Sequence, residues 1–384
     1  MKIAVVWRTK TTDRFIRSVI KALQRLGLTV VGLANPSLGT LVKASPDFCL
    51  TTSPDLKNLF HAKEEFLLEK AGIPYATLWF QTPLRNLPVL QTLTSSLHRG
   101  MFIPDSTDVR KLAALGIRNA YFLPISWWVD PARYKPMPPV EKYAHPLAWD
   151  CTFMPLKNFL VRIEKVYAES PLSSLIRQAA ETFLKRRGEY IDIFDFLQGA
   201  CDFSPWSEEF MRLYDELFIL QKSVEREHVL SLVQRAGLEL HIYGGFCFDH
   251  NRVNYNHTIV PPPGVTIHDY IDTFTELPKL YASSTILLSR MMYPSGVHDR
   301  LFCAAATKGF VLSEWKDDAA RAFEPGKEII MYRDTGELPD LIRYYLAHDG
   351  ERRKIAEAAH RRFLAEHTPL HRAREFMNTV KDLV

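Results

Sequence analysis

The sequence predicts an α/β protein built from two parallel-sheet units, and three observations carry that prediction. Short apolar runs alternate with amphipathic helical segments over roughly the first 130 residues. Pro131, Pro136, Pro138, Pro139 and Pro146 then crowd together, as in an extended, semi-rigid connection. Alternation resumes near Leu238 and continues to the carboxyl end. Repeated strand–helix–strand units favour parallel sheet covered by helices on both faces. Ligands of such sheets meet the loops at the strand carboxyl ends.

Taken in order, Ile3–Trp7 reads as a buried strand. A helix opens at Asp13, with apolar residues at Phe15, Ile16, Val19, Ile20, Leu23 and Leu26, and stops at Gly27. Leu28–Leu33 and Pro46–Leu50 are the next strands, and Asp55 to Ala71 is helical. Ile73–Phe80, Gly100–Ile103 and Asn119–Pro124 complete six strands, with a helix from Ser106 to Leu115. The second unit begins with a strand at Trp149–Met154. Strand signals then vanish from Leu156 to Ala236, where helical periodicity with charged outer faces takes over. Leu238–Tyr243, Val265–Ile267, Ser284–Ser289, Phe310–Ser313 and Glu328–Tyr332 are strands. Helices are expected at Thr275–Ala282, His298–Thr307, Leu338–His348 and Gly350–Glu366. The expected division is 1–140, then 141–366 with a helical insertion at 156–236, then a closing segment 367–384.

Composition narrows the function classes. The chain has 384 residues, 47% of them apolar, and 48 Lys+Arg against 44 Asp+Glu. A net charge of +4 is too small to argue for a polyanion, so no nucleic-acid partner is expected. The Arg- and His-rich stretch Glu351 to Arg374 interleaves acids and reads as a solvated helix face. Cys49, Cys151, Cys201, Cys247 and Cys303 are scattered without a CxxC pair, which fits reduced thiols in the cytoplasm. No apolar run approaches the roughly 18 residues of a membrane span, and no signal peptide is evident, so a soluble protein is expected.

The stretch SRMMYPSGVHDRLFCAAATKG, from Ser289 to Gly309, carries the most chemistry. A strand ending at Ser289 and Arg290 leads through a Pro/Gly loop to a helix whose first turn holds His298, Asp299 and Arg300. Free N–H groups at a helix amino terminus attract anions, and an arginine adds charge-assisted bonds suited to phosphate. Asp299 as a simple cap is the competing use. Neither a GxGxxG nor a Walker A motif occurs here. Tyr243, Gly244 and Gly245, following a strand, allow either close backbone approach of a nucleotide or an ordinary strand-ending turn. Asp13, in a loop after the first strand, is a candidate base or a helix cap. His241, His250, His257 and His268 with Asp249 and Asp269 fit no compact ligand spacing, so no metal is expected. Trp127 and Trp128 line a cleft or fill the domain junction.

Many positions together carry a resemblance. Leu277–Ala282, the turn Gly296–Phe302, Phe323–Ile329 with Glu324, Tyr332–Asp334, Ile342–Leu346, Arg352, Glu366–Thr368 and Arg372 resemble the nucleotide-sugar half of GT-B glycosyltransferases. The group it is most similar to is that of the spore-maturation protein CgeB. Asp105–Leu115, Phe122–Pro124, Asp130–Pro131 and Tyr134–Pro136 extend the resemblance to the amino half. It implies two Rossmann-like domains facing across a cleft, with the final helix crossing back to the first. It further implies a metal-independent hexosyltransferase without a cofactor, its donor a UDP- or GDP-sugar and its acceptor a glycan or protein. Gly296, Val297, His298, Asp299 and Arg300 would then cradle the diphosphate, with Ser289, Arg290, Tyr243, Gly244, Gly245 and Glu324 around the nucleotide. Asp13 and His298 are the catalytic candidates. Cys303 falls near a position where relatives carry a ribose-binding acid, which keeps an inactive scaffold as the alternative. The segment 156–236 fits docking of an acceptor protein, self-association into a homo-oligomer, or packing as a lid.

Overall fold

The computed structural model describes residues 1–7, 10–52, 60–61, 65–91, 93, 95–153, 155–244 and 261–381. Strands β1 (Lys2–Trp7), β2 (Thr29–Ala34), β3 (Phe48–Thr52), β6 (Tyr75–Leu78), β7 (His98–Ile103) and β8 (Ala120–Phe122) form one sheet. Its order is β2-β1-β3-β6-β7-β8, parallel throughout. Ile3, Ala4, Val5 and Val6 are fully enclosed, because β1 lies inside the sheet with both faces covered. A second parallel sheet runs β11-β10-β9-β12-β13-β14. Its strands are β9 (Leu147–Asp150), β10 (Leu240–Tyr243), β11 (Val265–His268), β12 (Ile286–Ser289), β13 (Val311–Glu314) and β14 (Ile330–Tyr332).

The helices in chain order are α1 (Lys10–Gln24), α2 (Leu38–Ala44), α3 (Leu67–Lys70), α4 (Leu87–Leu90) and α5 (Ser106–Ala114). The insertion between β9 and β10 supplies α6 (Leu156–Val166), α7 (Leu172–Lys185), α8 (Ile193–Ala200) and α9 (Glu208–Arg235). The rest are α10 (Leu277–Ser283), α11 (Asp299–Thr307), α12 (Asp317–Ala322), α13 (Leu338–Ala347), α14 (Asp349–Arg362) and α15 (Pro369–Lys381).

Two expectations are corrected. Among the described residues of the helix expected over Asp55–Ala71, only Leu67–Lys70 are helical (α3), while β4 (Phe60–His61) and β5 (Glu65–Phe66) pair as two-residue antiparallel strands. Residues 53–59 and 62–64 lie outside the described ones. Helix α1 starts at Lys10, so Asp13 falls inside its first turns, neither in a loop nor at the cap, and its side chain is not among those described.

Two pieces of packing tie the halves together. Phe159, Phe183, Phe210, Leu217 and Leu220 of the insertion share one apolar core with Val6, Tyr75, Met101 and Ile103 of the first sheet. Arg85 reinforces this joint, pairing with Asp215 at 2.8 Å and lying over the Phe218 ring. Helix α15 leaves the second half and packs on the first, with Phe376 against Phe102 (4.8 Å between ring centres) and Trp127 (5.8 Å). Trp128 fills the junction from the other side, edge-on to Phe15 at 5.1 Å.

Burial holds His98 and His367 neutral. Desolvation lowers both rings to about 4, with Arg372 adding to the effect at His367. A histidine kept neutral in the fold binds a proton more readily when unfolded. Its contribution is therefore present at and above pH 6.5 and is lost as pH falls toward 4, by about 3 kcal/mol per residue at full loss. Melting temperature is expected to drop across that window in calorimetry, and the His98→Gln variant to show a shallower drop. A flat wild-type profile between pH 6.5 and 4 would contradict this account.

Candidate functional site

The halves meet through segments that follow strand carboxyl ends on both sheets. Phe80 after β6 accepts a hydrogen bond from the Tyr293 hydroxyl after β12, at 2.8 Å. Asp272 and Phe274, beyond β11, take the Arg14 ion pair and the Phe15 ring (4.9 Å) from the first half. Ser106, at the start of α5, donates its amide and hydroxyl to Asp318 of α12 at 2.8 and 2.7 Å. Parallel α/β units therefore face each other with the ends that bind ligands.

At the centre of this joint lies the turn 295–297. One Asp105 carboxylate oxygen accepts from the amides of Ser295 (2.9 Å) and Gly296 (2.6 Å). The other oxygen caps α5 through the amides of Thr107 and Asp108. Val297 donates its amide to the Pro104 carbonyl at 3.3 Å, and Thr107 and Ser295 join hydroxyls at 2.6 Å. A Cβ on Gly296 would lie 2.6 Å from the Pro104 oxygen, so only glycine permits this approach. The backbone donors expected to face a diphosphate at Gly296 and Val297 are thus engaged by the opposite half. Asp105 itself went unrecognised as a site residue. Its sequence context announces a helix cap, while its second set of donors lies 190 residues away.

Helix α11 begins as expected, with His298 at its cap and its Nδ1 against the Asp299 carboxylate. Burial works to raise the Asp299 carboxyl, but His298 and Arg300 outweigh it and hold the group below the usual carboxylate range. The Arg300 guanidinium, 18% exposed, reaches Asp150 at the end of β9 at 3.4 Å. Burial works against its charge, and Asp150, Tyr281 and Asp299 more than offset it. His298, Asp299, Arg300 and Asp150 are therefore a charged group at the switch point of the second sheet, between β9 and β12. Cys303 is fully enclosed on the same helix, and burial pushes its thiol well up.

Other candidates separate. Gly244 has φ +146°, and a Cβ there would meet the Cys151 carbonyl oxygen at 2.4 Å, so the close approach is to the protein's own chain. Gly245 lies outside the described residues. The Tyr243 ring stacks on His268 at 4.2 Å, and its hydroxyl meets His145 Nε2 at 2.6 Å. Glu324 is exposed, pairs with Lys327 at 2.6 Å and supports the turn that follows α12. Ser289 is buried with its hydroxyl unpartnered. Arg290 is 4% exposed and reaches Glu225 of α9 through Nε at 3.1 Å.

The histidines bring a surprise of a different kind. His241 and His268 do come together, joined by His145, which lies about 100 residues earlier in the chain and outside the cluster read from spacing. The rings lie nearly parallel, His145 over His241 at 3.6 Å and 11°. Imidazole nitrogens point within their own ring planes, so stacked rings do not aim at one ion. Their nitrogens instead bond to His268 (2.9 Å), Glu239 (2.8 Å) and Tyr243. His250, His257 and Asp249 lie outside the described residues.

Residues 225–378 match the family described as Glycosyl transferase-like. No protein of curated function matches the chain in sequence. Among solved structures, Anabaena Alr3699/HepE, seen in complex with UDP and glucose, aligns over all of both chains with a TM-score of 0.57 at 12% identity. T4 phage β-glucosyltransferase aligns over all of this chain and 99% of its own, at 0.55 and 11%. A glycosyltransferase from Rickettsia africae aligns over 100% and 98%, at 0.51 and 12%. The fold is that of the GT-B glycosyltransferases, two Rossmann-like domains. Among the described residues no helix is long and apolar enough to cross a membrane.

Proposed function

From a chain with the two-lobed glycosyltransferase fold, whose carboxyl part matches the glycosyl transferase-like family, we propose a transferase that moves a hexosyl group from a nucleoside diphosphate sugar to a glycan or protein acceptor. The observation that carries it is the charged group His298, Asp299, Arg300 and Asp150, set where the ligand-binding ends of two parallel sheets oppose each other. Glycosyl transfer leaves a diphosphate on which negative charge develops. The Arg300 guanidinium and the dipole of α11 answer that charge from the protein side, so a metal ion is not required for this step. His298, at the cap, is placed to touch the departing phosphate or the sugar. Asp13 is kept as the candidate base of an inverting reaction, which must take a proton from the acceptor. Asp105 must withdraw before the amides of Ser295 and Gly296 can serve as further phosphate donors.

The Gly296–Phe302 turn and the segments Phe323–Ile329 and Glu366–Thr368 support a CgeB-like member of the group, working in the cytoplasm on a UDP- or GDP-sugar. UDP in the Anabaena structure favours the uridine donor. Saturating UDP or GDP, at about a hundredfold over Kd, is expected to raise the melting temperature by about 3 °C. Arg300→Ala should abolish that rise, and the wild-type protein should slowly release free sugar from the donor, which an inactive scaffold would not do. No shift with any nucleoside diphosphate or nucleotide sugar would overturn the assignment.

A further inference from the structure

We propose that helix α9 is a rigid strut that holds the two halves of the molecule at a set separation, so that the cleft between them is preset and does not open and close about a hinge. The helix runs 28 residues from Glu208 to Arg235 without a glycine or a proline. At that length it spans about 42 Å.

Its two ends belong to different cores. Phe210, Leu213, Leu217, Leu220 and Val224 sit in the core of the first sheet, with Val6, Tyr75 and Met101. Little more than one turn further on, Val229, Leu230 and Val233 sit in the core of the second sheet, with Trp149, Ile242 and Leu288. Glu216, Leu217 and Phe218 are buried in succession, and so are Ser223, Val224 and Glu225. A helix buried at consecutive positions is enclosed on more than one face, unlike an amphipathic helix resting on a surface.

Polar ties repeat the pattern. Toward the first half, Asp215 pairs with Arg85 at 2.8 Å. Toward the second, Glu225 takes Arg290 Nε at 3.1 Å, and His228 Nε2 meets Thr335 Oγ1 at 3.0 Å. Domain rotation is ordinarily absorbed by a few residues in loops or at the ends of elements. Here α9 would have to kink or abandon one of its cores. Sharp kinks form at prolines, at glycine pairs or at π-bulges, and α9 contains none of these. Abandoning a core would expose Leu213, Leu217 and Leu220, or else Val229, Leu230 and Val233, to water. A lid, by contrast, rests on one half and releases the other. The strut sets the width of the cleft whatever ligand enters it, and release of Asp105 from the turn 295–297 is then a local rearrangement, not a parting of the halves.

Pulsed electron resonance on the full chain tests this, with non-natural spin-labelled residues at Val42 in the first half and Leu364 in the second, both exposed. The wild type should give one narrow distance distribution, and a broad or two-peaked one would overturn the strut. Lys222→Pro breaks α9 between its two cores and should widen the distribution about twofold. A folded Lys222→Pro chain as narrow as the wild type would overturn it as well. Should that variant not fold, hydrogen exchange on the unaltered protein decides. Amides 213–233 should exchange as slowly as those of β1 and β12, within about tenfold. Exchange in α9 faster than in both sheets by more than that margin is the behaviour of a lid and ends the proposal.

Discussion

Asp105→Ala is expected to destabilise the protein by about 3 to 5 kcal/mol. Four amides lose their acceptor at once: Thr107 and Asp108 at the start of α5, Ser295 and Gly296 on the opposite half. Loss of a helix cap costs about 1 kcal/mol, and each buried donor left without a partner costs about 1 to 3 kcal/mol. Relaxation and entering water reduce the sum to the range stated. Asp105→Asn separates the two roles, since one amide oxygen can keep capping α5 while the NH2 group faces the Ser295 and Gly296 donors. Urea denaturation of both variants measures the difference, and a loss below 1 kcal/mol in Asp105→Ala would contradict the geometry. Burial and the charge of Asp105 also push the neighbouring Asp108 carboxyl well above its ordinary range.

Arg290→Met is the second large effect, expected to cost about 3 to 5 kcal/mol, because it leaves two buried carboxylates without their shared cation. Glu225 and Glu314 are both below a tenth exposed. Burial already raises the Glu225 carboxyl, against the pull of Arg290. Removing the charge on both sides should recover much of the loss, so Arg290→Met with Glu225→Gln should be more stable than Arg290→Met alone. A double-mutant cycle by thermal denaturation measures the coupling, and independent, additive effects would show that the pair is not a pair.

The strands were legible because a parallel sheet covered on both faces leaves near-continuous apolar runs, such as Ile3–Val6 and Ile286–Leu288. The insertion was legible through its helical periodicity, and Pro278 and His298 lie where helices begin. The hairpin at 60–66 was not, because two-residue strands are too short to show alternation. In the site, His298 to Arg300 were found from a helix start after a strand, a purely local signal. Asp105, His145 and the burial of Arg290 escaped for one shared reason. Each is defined by partners 65 to 191 residues away in sequence, brought close by sheet order and by the contact of the halves.

The core shared by the insertion and the first sheet separates chain order from spatial ownership. A fragment ending near residue 140 would lack the side chains that cover Tyr75, Met101 and Ile103, and one starting there would leave part of the insertion's apolar core, around Phe159, Phe210 and Leu217, uncovered. Neither fragment is an autonomous folding unit, and the intact chain should melt in a single cooperative transition.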